Sequence, residues 1–286
     1  LCRENQYDII LHDYNLGEGK NGQQVLEELH HAGLISPNCI FVMVTAESGD
    51  LFYNLSMVMD GHTGWEHSLS VVPVYSDVAH FMGQAGIYYS PTFVVTGPAP
   101  SSDGYFFQES DVWRDEKQRR WMPWRQLTLH SRARMLRPET DYAFPLIAQG
   151  MADIIAEGGG GAIGSHGQQH GIGTHWEVWM AATALGPMGA LEVASLHGAR
   201  FLGVEQDIGT IERGKLADLL VLTGNPLDDI RATADIRYVM RAGILYDAET
   251  LDEIWPETRA FGSYDWVVPE MLTDDVRPVD YFDRRR

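Results

Sequence analysis

The 286-residue chain is acidic, with 21 Lys and Arg against 40 Asp and Glu and a formal net charge of −19. Hydrophobic residues make up 44% of the chain and aromatic residues 10%, which is enough apolar side chain for a sizeable core. Its length suits one large domain or two ordinary ones. The negative charge argues against a surface that binds nucleic acid or anionic lipid, because both of these ligands are themselves negative.

The cysteines and the hydropathy exclude further classes. Cys2 and Cys39 are isolated in the sequence, so neither a zinc ribbon nor a disulfide framework is indicated. No apolar run reaches the length of a membrane-spanning helix. The chain shows no signal peptide, which favours a cytoplasmic location, but it begins at Leu1 rather than Met and an export signal upstream stays open.

The N-terminal segment predicts a β-α-β unit. YDIILHDYNL (7–16) contains an apolar run that ends in polar residues, as expected for a buried parallel strand with Asp13 at its carboxyl end. A glycine-rich loop follows, and GQQVLEELHHAGL (22–34) has the apolar spacing of a helix. CIFVMVTA (39–46) predicts a second buried strand. A strand, a helix and a strand in this order favour a parallel sheet.

The middle of the chain predicts further mixed α/β structure. Residues 97–127 are polar and aromatic, and we expect a long excursion from the core there, such as a lid. A helix is predicted near residues 144–156. GGGGAIGSHG (158–167) leads into a short strand, and helices are predicted over residues 176–185 and 188–202.

The pattern changes after residue 208 to short β runs separated by glycine turns. These runs are IGTIERGKLADLLVLTGNPLDDI (208–230) and IRYVMRAGILYD (236–247). Within the first run we expect Asp218 to cap a backbone turn. The tail at residues 256–286 is rich in Pro and Asp, and we expect it to be loosely docked.

These C-terminal runs carry a family resemblance. EVASLHGARFLGV (192–204) resembles the helix with the ATxNPAxxLGL pattern of the amidohydrolase superfamily, and IGTIERGKLADLLVL (208–222) is similar to its GSIExGKxADLVVL strand pair. NPLDDI and IRYVMRAGILYD resemble the return strands of the same family. The resemblance covers about residues 44–255, and the imidazolonepropionase-like branch is the one the chain resembles most.

The resemblance implies a (β/α) TIM-type barrel with a small β-sandwich and catalysis at the carboxyl ends of the barrel strands. It also implies hydrolysis of C–N bonds in an amide or cyclic amide, with a divalent metal, usually zinc, that activates water. The family's HxH motif is missing here, and so are its first four barrel strands. What remains resembles strands five to eight: VMVTAE, DGHTGWEHS, GIYYSPTFVV and GAIGSHG. The resemblance therefore leaves open whether the chain is active.

The resemblance places three residues in a metal site. His67 stands where the family's SIEH motif has its sixth-strand ligand, and His166 stands where the GTDxG motif has the Asp that binds metal and acts as general base. Glu47 replaces the fifth-strand His. The alternatives are a buried His67 bonded to a neighbouring carbonyl and a salt-bridged Glu47 at a strand end.

Four further histidines are considered besides His67 and His166. His62, on the loop before the His67 strand, and His170 and His175, on the glycine-rich loop after His166, are candidate substrate contacts. Solvated loop histidines are the alternative for all three of them. For His197 a helix-packing role is expected.

Residues 7–47 resemble a different family, the response-regulator receiver domain, which has a flavodoxin-like fold. In that resemblance Asp13 is the phosphoacceptor and Thr45 is the switch hydroxyl. Phosphoryl transfer needs a bound Mg²⁺, and the acidic pair and the Lys that complete a receiver site are missing here. The alternative for Asp13 is a strand-end residue that caps a turn.

We therefore predict an α/β chain in four parts: a receiver-like βαβ fragment at 1–47, the C-terminal half of an amidohydrolase barrel at 48–203, a small β-sandwich at 204–255 and a tail at 256–286. The expected partner is a small amide or peptide-like substrate, without nucleic acid or membrane. The open edges of a half-barrel favour a homo-oligomer. The alternatives to a hydrolase are a phosphorelay module that uses Asp13 and a non-catalytic chimera.

Overall fold

The computed structural model describes most of the chain, with side chains described from residue 48 onward. The described residues are 7–13, 35–44, 46–95, 99–124, 127–128 and 136–262. The predicted helix at residues 22–34 and the tail from residue 263 onward lie outside them.

The N-terminal strands form a parallel pair, as predicted. Strand β1 spans Tyr7–Asp13 and strand β2 spans Ile35–Val44. The sequence predicts the second strand only from Cys39, because Pro37 and its neighbours disfavour regular pairing. The ladder accommodates them in an irregularity, since Tyr7 pairs with Ile35 but Ile9 pairs with Ile40.

A second sheet contains four short parallel strands in chain order. They are β3 (Ala46–Glu47), β4 (Gly64–Glu66), β5 (Tyr88–Ser90) and β6 (Gly160–Gly161). The single strand predicted over residues 39–46 is therefore divided, with β2 and β3 in different sheets. This change of sheet falls where the two resemblances meet in the sequence.

Helices alternate with these strands, as expected for part of a (β/α) barrel. Helix α1 joins β3 to β4, α2 joins β4 to β5, α3, α4 and α5 lie between β5 and β6, and α6 follows β6. None of the helices in the described ranges has the length and apolar character needed to cross a membrane. The helices are α1 (Leu51–Met59), α2 (Ser76–Gln84), α3 (Asp103–Glu109), α4 (Glu116–Trp121), α5 (Phe144–Ala156), α6 (Ile172–Glu192) and α7 (Gly198–Phe201).

Helix α6 is kinked where the sequence predicts a break between two helices. Gly186 has a left-handed φ of 68°, and Pro187 follows it. A π-helical turn at Val193–His197 then connects α6 to α7. The Nδ1 atom of His197 accepts a hydrogen bond from the N–H of Gly161 at 3.3 Å, so His197 joins the π-helical turn to strand β6.

The described residues of the segment 97–127 include part of the core, which corrects the expectation of an excursion from it. Phe106 and Phe107 of α3 are buried, and the Phe106 ring stacks on Trp176 of α6 with 4.8 Å between ring centroids. The aromatic residues of this segment therefore belong to the core, because stacking removes their large apolar surfaces from water.

The C-terminal sheet is an antiparallel meander of β7 (Leu219–Leu222), β8 (Ile236–Arg241), β9 (Ile244–Asp247) and β10 (Glu253–Trp255). The turn between β8 and β9 has two residues with positive φ, Ala242 at 49° and Gly243 at 81°, as two-residue hairpins favour. Asp218 accepts a hydrogen bond from the Ala242 N–H at 2.6 Å, which confirms its predicted capping role.

The predicted β-sandwich at 204–255 is not found, because these residues, all of which are described, form this one sheet. The exposure of strand β7 shows that no second sheet of the described residues packs on it. Leu220 and Val221 at its centre are 55% and 45% exposed, whereas a strand between two packed sheets would bury one of them.

Glu177 of α6 is a fully buried carboxyl group. Its Oε1 atom accepts a hydrogen bond from the N–H of Val94 at 2.7 Å, whereas Oε2 has no hydrogen-bond partner within the described part of the chain. Burial raises the pKa of Glu177 to about 8, opposed by the backbone N–H groups of Val94 and Phe93. Glu177 thus joins α6 to the turn that follows β5.

We expect Gly64→Ala to lower the free energy of unfolding by roughly 1–3 kcal/mol, as overpacking does. A methyl group at Gly64 would lie 2.6 Å from the Phe201 ring and 2.8 Å from the carbonyl oxygen of Tyr88, so α7 or the neighbouring strand β5 must move. Urea denaturation measures the loss. Gly104→Ala in α3 is the matched control, because its methyl group would meet Tyr142 at an ordinary 3.5 Å. Equal losses in both variants would contradict this packing.

Glu177 should make stability fall as pH rises. The folded chain keeps the carboxyl proton up to about pH 8, whereas the unfolded carboxyl group loses it near its ordinary value of 4.5. Between these values unfolding releases a proton, so the free energy of unfolding should fall by up to about 1.4 kcal/mol per pH unit.

Glu177→Gln should remove this contribution to the slope, and denaturation midpoints from pH 5 to pH 8 measure it. Glu257→Gln, at an exposed position, should keep the slope of the unmodified chain. A slope unchanged by Glu177→Gln would show that the buried group does not titrate in this window.

Candidate functional site

The carboxyl ends of the parallel strands lie at one edge of the sheet. His67 follows directly after β4, Ser90 is the last residue of β5, and the loop after β6 leads to His166. The N–H of Ser48 donates to the carbonyl oxygen of Glu66 at 2.9 Å, which holds the segment after β3 beside the end of β4. In barrel folds of this kind this edge carries the active site.

Two histidines predicted from the sequence lie together at this edge. The ring centroids of His67 and His166 are 5.2 Å apart, and the ring planes are tilted by 53°. His67 is half-buried and His166 is exposed. Their 99-residue separation in the chain gives no hint of this proximity, which results from the parallel sheet.

The backbone at this edge is strained. His67 and His166 have left-handed φ values of 70° and 53°, and Thr92 and Gln169, on the loops after β5 and β6, have values of 51° and 45°. A left-handed conformation costs a residue with a Cβ atom roughly 1–2 kcal/mol. Such strain persists only where the surrounding structure imposes it, and it clusters at functional sites.

Glu47 is the last residue of β3, and its backbone pairs with Glu66 of β4. Its backbone therefore lies at the same edge as His67. The Glu47 side chain lies outside the described residues, so its role as a ligand stays a prediction.

The described side chains fit part of a metal site. Imidazole is a preferred zinc ligand, and His67 and His166 are near enough to each other to share one ion. A catalytic zinc site needs three protein ligands, and no group of three or more His, Cys, Asp or Glu able to hold a metal occurs among the residues described. The pair therefore supplies two ligands of an incomplete set.

His62 lies at the other edge of the sheet. It precedes β4, whereas His67 follows it, and its side chain is buried with Nδ1 3.1 Å from the carbonyl oxygen of Met57. The structure therefore does not bring His62 to the histidine pair.

His170 and His175 line a cavity of about 660 Å³ between α4, the start of α6 and the C-terminal sheet. His170 is exposed and His175 is partly buried. Burial lowers the pKa of His175, and the positive charge of Lys117 lowers it further. The loop that carries His166 therefore also reaches this cavity, which we call the α4–α6 cavity.

The receiver residues are placed only by their backbone. Asp13 is the last residue of β1 and pairs with Val44, but its side chain lies outside the described residues. Thr45 lies outside them altogether. The predicted phosphoacceptor role of Asp13 stays a prediction.

Sequence reasoning missed three residues near the edge. Ser90 is buried at the end of β5, and a Cβ atom at Gly164 would lie 3.6 Å from its Oγ atom. Thr92 is buried in the strained turn that follows, and Glu177 holds that turn through Val94. Glu177 had a signal, a lone acidic residue in the apolar run WEVWM, whereas Ser90 and Thr92 had none.

A protein-family model, described as the amidohydrolase family, matches residues 74–245 of this chain. The match includes strands β5 to β8, the start of β9 and His166, and it begins after His67. A search of curated proteins found no match.

Solved structures with the same fold include a prolidase complexed with N-methylphosphonate-L-proline, at 22% sequence identity and a TM-score of 0.52, covering 78% of this chain and 47% of that one. A second is a Xaa-Pro dipeptidase with bound methionine in its active site, at 21% identity and a TM-score of 0.51, covering 84% and 55%. A third is an amidohydrolase at 19% identity and a TM-score of 0.50, covering 78% and 47%. The chain thus spans about half the length of these proteins.

The comparisons support one of the two resemblances seen in the sequence. The receiver resemblance of residues 7–47 finds no support in them, and the family match begins beyond it. The matched segment is more than half of the chain and contains the parallel-sheet elements around His166. The chain belongs to the amidohydrolase family.

Proposed function

We propose that this chain forms the C-terminal part of the catalytic domain of a hydrolase that cleaves C–N bonds in small amides or dipeptides. The observation that carries the proposal is the pairing of His67 and His166 at the carboxyl edge of the parallel sheet. Two residues nearly a hundred positions apart meet there in strained backbone conformations. The alternative of two structural histidines gives no reason for both to adopt such conformations at one edge.

His67, His166 and Glu47 are the proposed ligands of a divalent metal, with zinc favoured by the family resemblance. A metal at this edge would polarise a carbonyl group and lower the pKa of water. His166 is exposed, so its imidazole can alternatively act as the general base, which is the other role of the Asp that it replaces in the family resemblance. The half-buried His67 holds its position beside it.

Dipeptides are the favoured substrates within this class. Two of the solved structures with this fold are a prolidase and a Xaa-Pro dipeptidase. A chain that shares this fold and carries a histidine pair at the carboxyl edge of its sheet suits a small substrate with one exposed amide bond. The proposed homo-oligomer would cover the open edges of the sheet, and light scattering would test it.

The test is hydrolysis of a panel of Xaa-Pro dipeptides and lactams in the presence of zinc or manganese, followed by amine release. We expect His67→Ala and His166→Ala each to lower the rate by at least 100-fold, the scale on which positioned acid–base groups act. His80→Ala is the matched control, because His80 is an exposed histidine that pairs with Glu157 at 2.6 Å.

Turnover that survives both substitutions at the histidine pair would contradict the proposed site. A loss of turnover in His80→Ala as large as that in His67→Ala would show a general effect of losing a histidine rather than a local one. Absence of turnover on the whole panel, in chain that is folded, would contradict the proposed function.

A further inference from the structure

The α4–α6 cavity has a composition that the histidine pair does not explain. At about 660 Å³ it lies within the range of small-molecule sites. Most of its lining is apolar, and three basic residues, Lys117, His170 and His175, also line it. The apolar lining comprises Trp121, Met122, Ile172, Ile236, Val239 and Leu251.

The basic side chains of the cavity are available to a ligand. Within the part of the chain that the structure describes, the Lys117 side chain forms no ion pair and the His175 side chain forms no hydrogen bond. The Lys117 ammonium is close enough to His175 to lower its pKa. A carboxylate in the cavity would form a charge-assisted contact with the Lys117 ammonium.

The backbone N–H groups at the start of helix α6 are not available to bind such a carboxylate. The N–H groups of Ile172, Gly173 and Thr174 already donate to the carbonyl oxygens of His170, Gln169 and Gly171. Recognition of a carboxylate therefore depends on side chains, with Lys117 as the charged donor.

Acidic side chains also line the cavity, and their charge argues against a ligand that carries only negative charge. Asp115 accepts a hydrogen bond from the N–H of Gln118 at 2.8 Å, and Glu249 lies 4.0 Å from the Arg120 guanidinium, so both have a partner in the chain. Glu116 and Asp235 are exposed at the cavity and add negative charge there. An ammonium group would balance their charge, whereas a ligand with negative charge alone would be repelled.

We propose that the α4–α6 cavity binds a zwitterionic dipeptide, with its carboxylate at Lys117, its ammonium group towards Glu116 and Asp235, and its apolar side chains on the Trp121 and Ile236 floor. The choice of a dipeptide rests on the proposed function, and the cavity itself assigns the charges and the apolar contacts. The binding determinant is then Lys117, which lies apart in sequence from both histidines of the pair.

The test compares a dipeptide with its C-terminal amide. Calorimetric titrations use leucyl-proline and leucyl-prolinamide on the His67→Ala chain, in which the ligand should stay intact, with and without Lys117→Gln. We expect Lys117→Gln to weaken leucyl-proline binding about tenfold, the effect of losing one charge-assisted contact, and to leave the amide unchanged. Arg213→Gln removes one exposed positive charge outside the cavity lining and should change neither affinity.

Equal weakening of both ligands, or no weakening of either, would overturn the proposal, as would the absence of leucyl-proline binding. The two proposals fail separately. Leucyl-proline binding that depends on Lys117, in a chain without turnover, would uphold the cavity and contradict the hydrolase. Turnover that depends on the histidine pair, without any effect of Lys117→Gln on binding, would support the hydrolase and contradict the proposed cavity.

Discussion

The parallel pairing of β4, β5 and β6 is the constraint on which the candidate site depends. Gly64, Trp65 and Glu66 pair in order with the three residues of β5, which fixes where each strand ends. Because parallel strands end at the same edge, His67 and the loop to His166 leave the sheet at one edge, on either side of the end of β5. A shift of one residue in this register would turn each side chain to the opposite face of the sheet.

Close packing beneath the sheet maintains that register. A Cβ atom at Gly64 would clash with Phe201 and with the Tyr88 backbone, and one at Gly160 would clash with the Tyr88 ring. The strands therefore approach α7 and each other through glycine, and Tyr88 stacks on Phe201 with 5.2 Å between centroids. Glu177 adds a polar contact from α6 to the turn after β5. Residues larger than glycine at positions 64 and 160 would therefore disrupt the packing that holds the strand ends in place.

The sequence predicts the order of elements better than their packing. Gly186 and Pro187 mark the kink of α6 because their backbone preferences are local. Asp218 is likewise predictable, since it caps a turn close by in the fold. The excursion expected over residues 97–127 is wrong because the packing of Phe106 on Trp176 depends on a partner 70 residues away. The predicted sandwich is not found for a similar reason, since the apolar run of β7 does not say whether a second sheet exists to cover it.

The residues of the candidate site divide in the same way, into those that a sequence motif indicates and those that only the packing places there. The motif resemblance places His67 and His166 at strand ends, and the structure brings them together. Ser90 and Thr92 carry no sequence signal because their position depends on the turn that Glu177 holds. His62, which the sequence places on the loop before β4 as a candidate substrate contact, lies at the opposite edge, since the three residues of β4 run between it and His67.

The most direct measurement is the metal content of the chain purified without chelator or affinity metal, compared with that of His67→Ala. If the histidine pair is the centre of a hydrolase site, about one zinc, manganese or iron ion per chain should be present and should be lost in the variant. Full metal occupancy in His67→Ala, or a folded chain that binds no divalent metal at all, would contradict the assignment of this edge as the catalytic site.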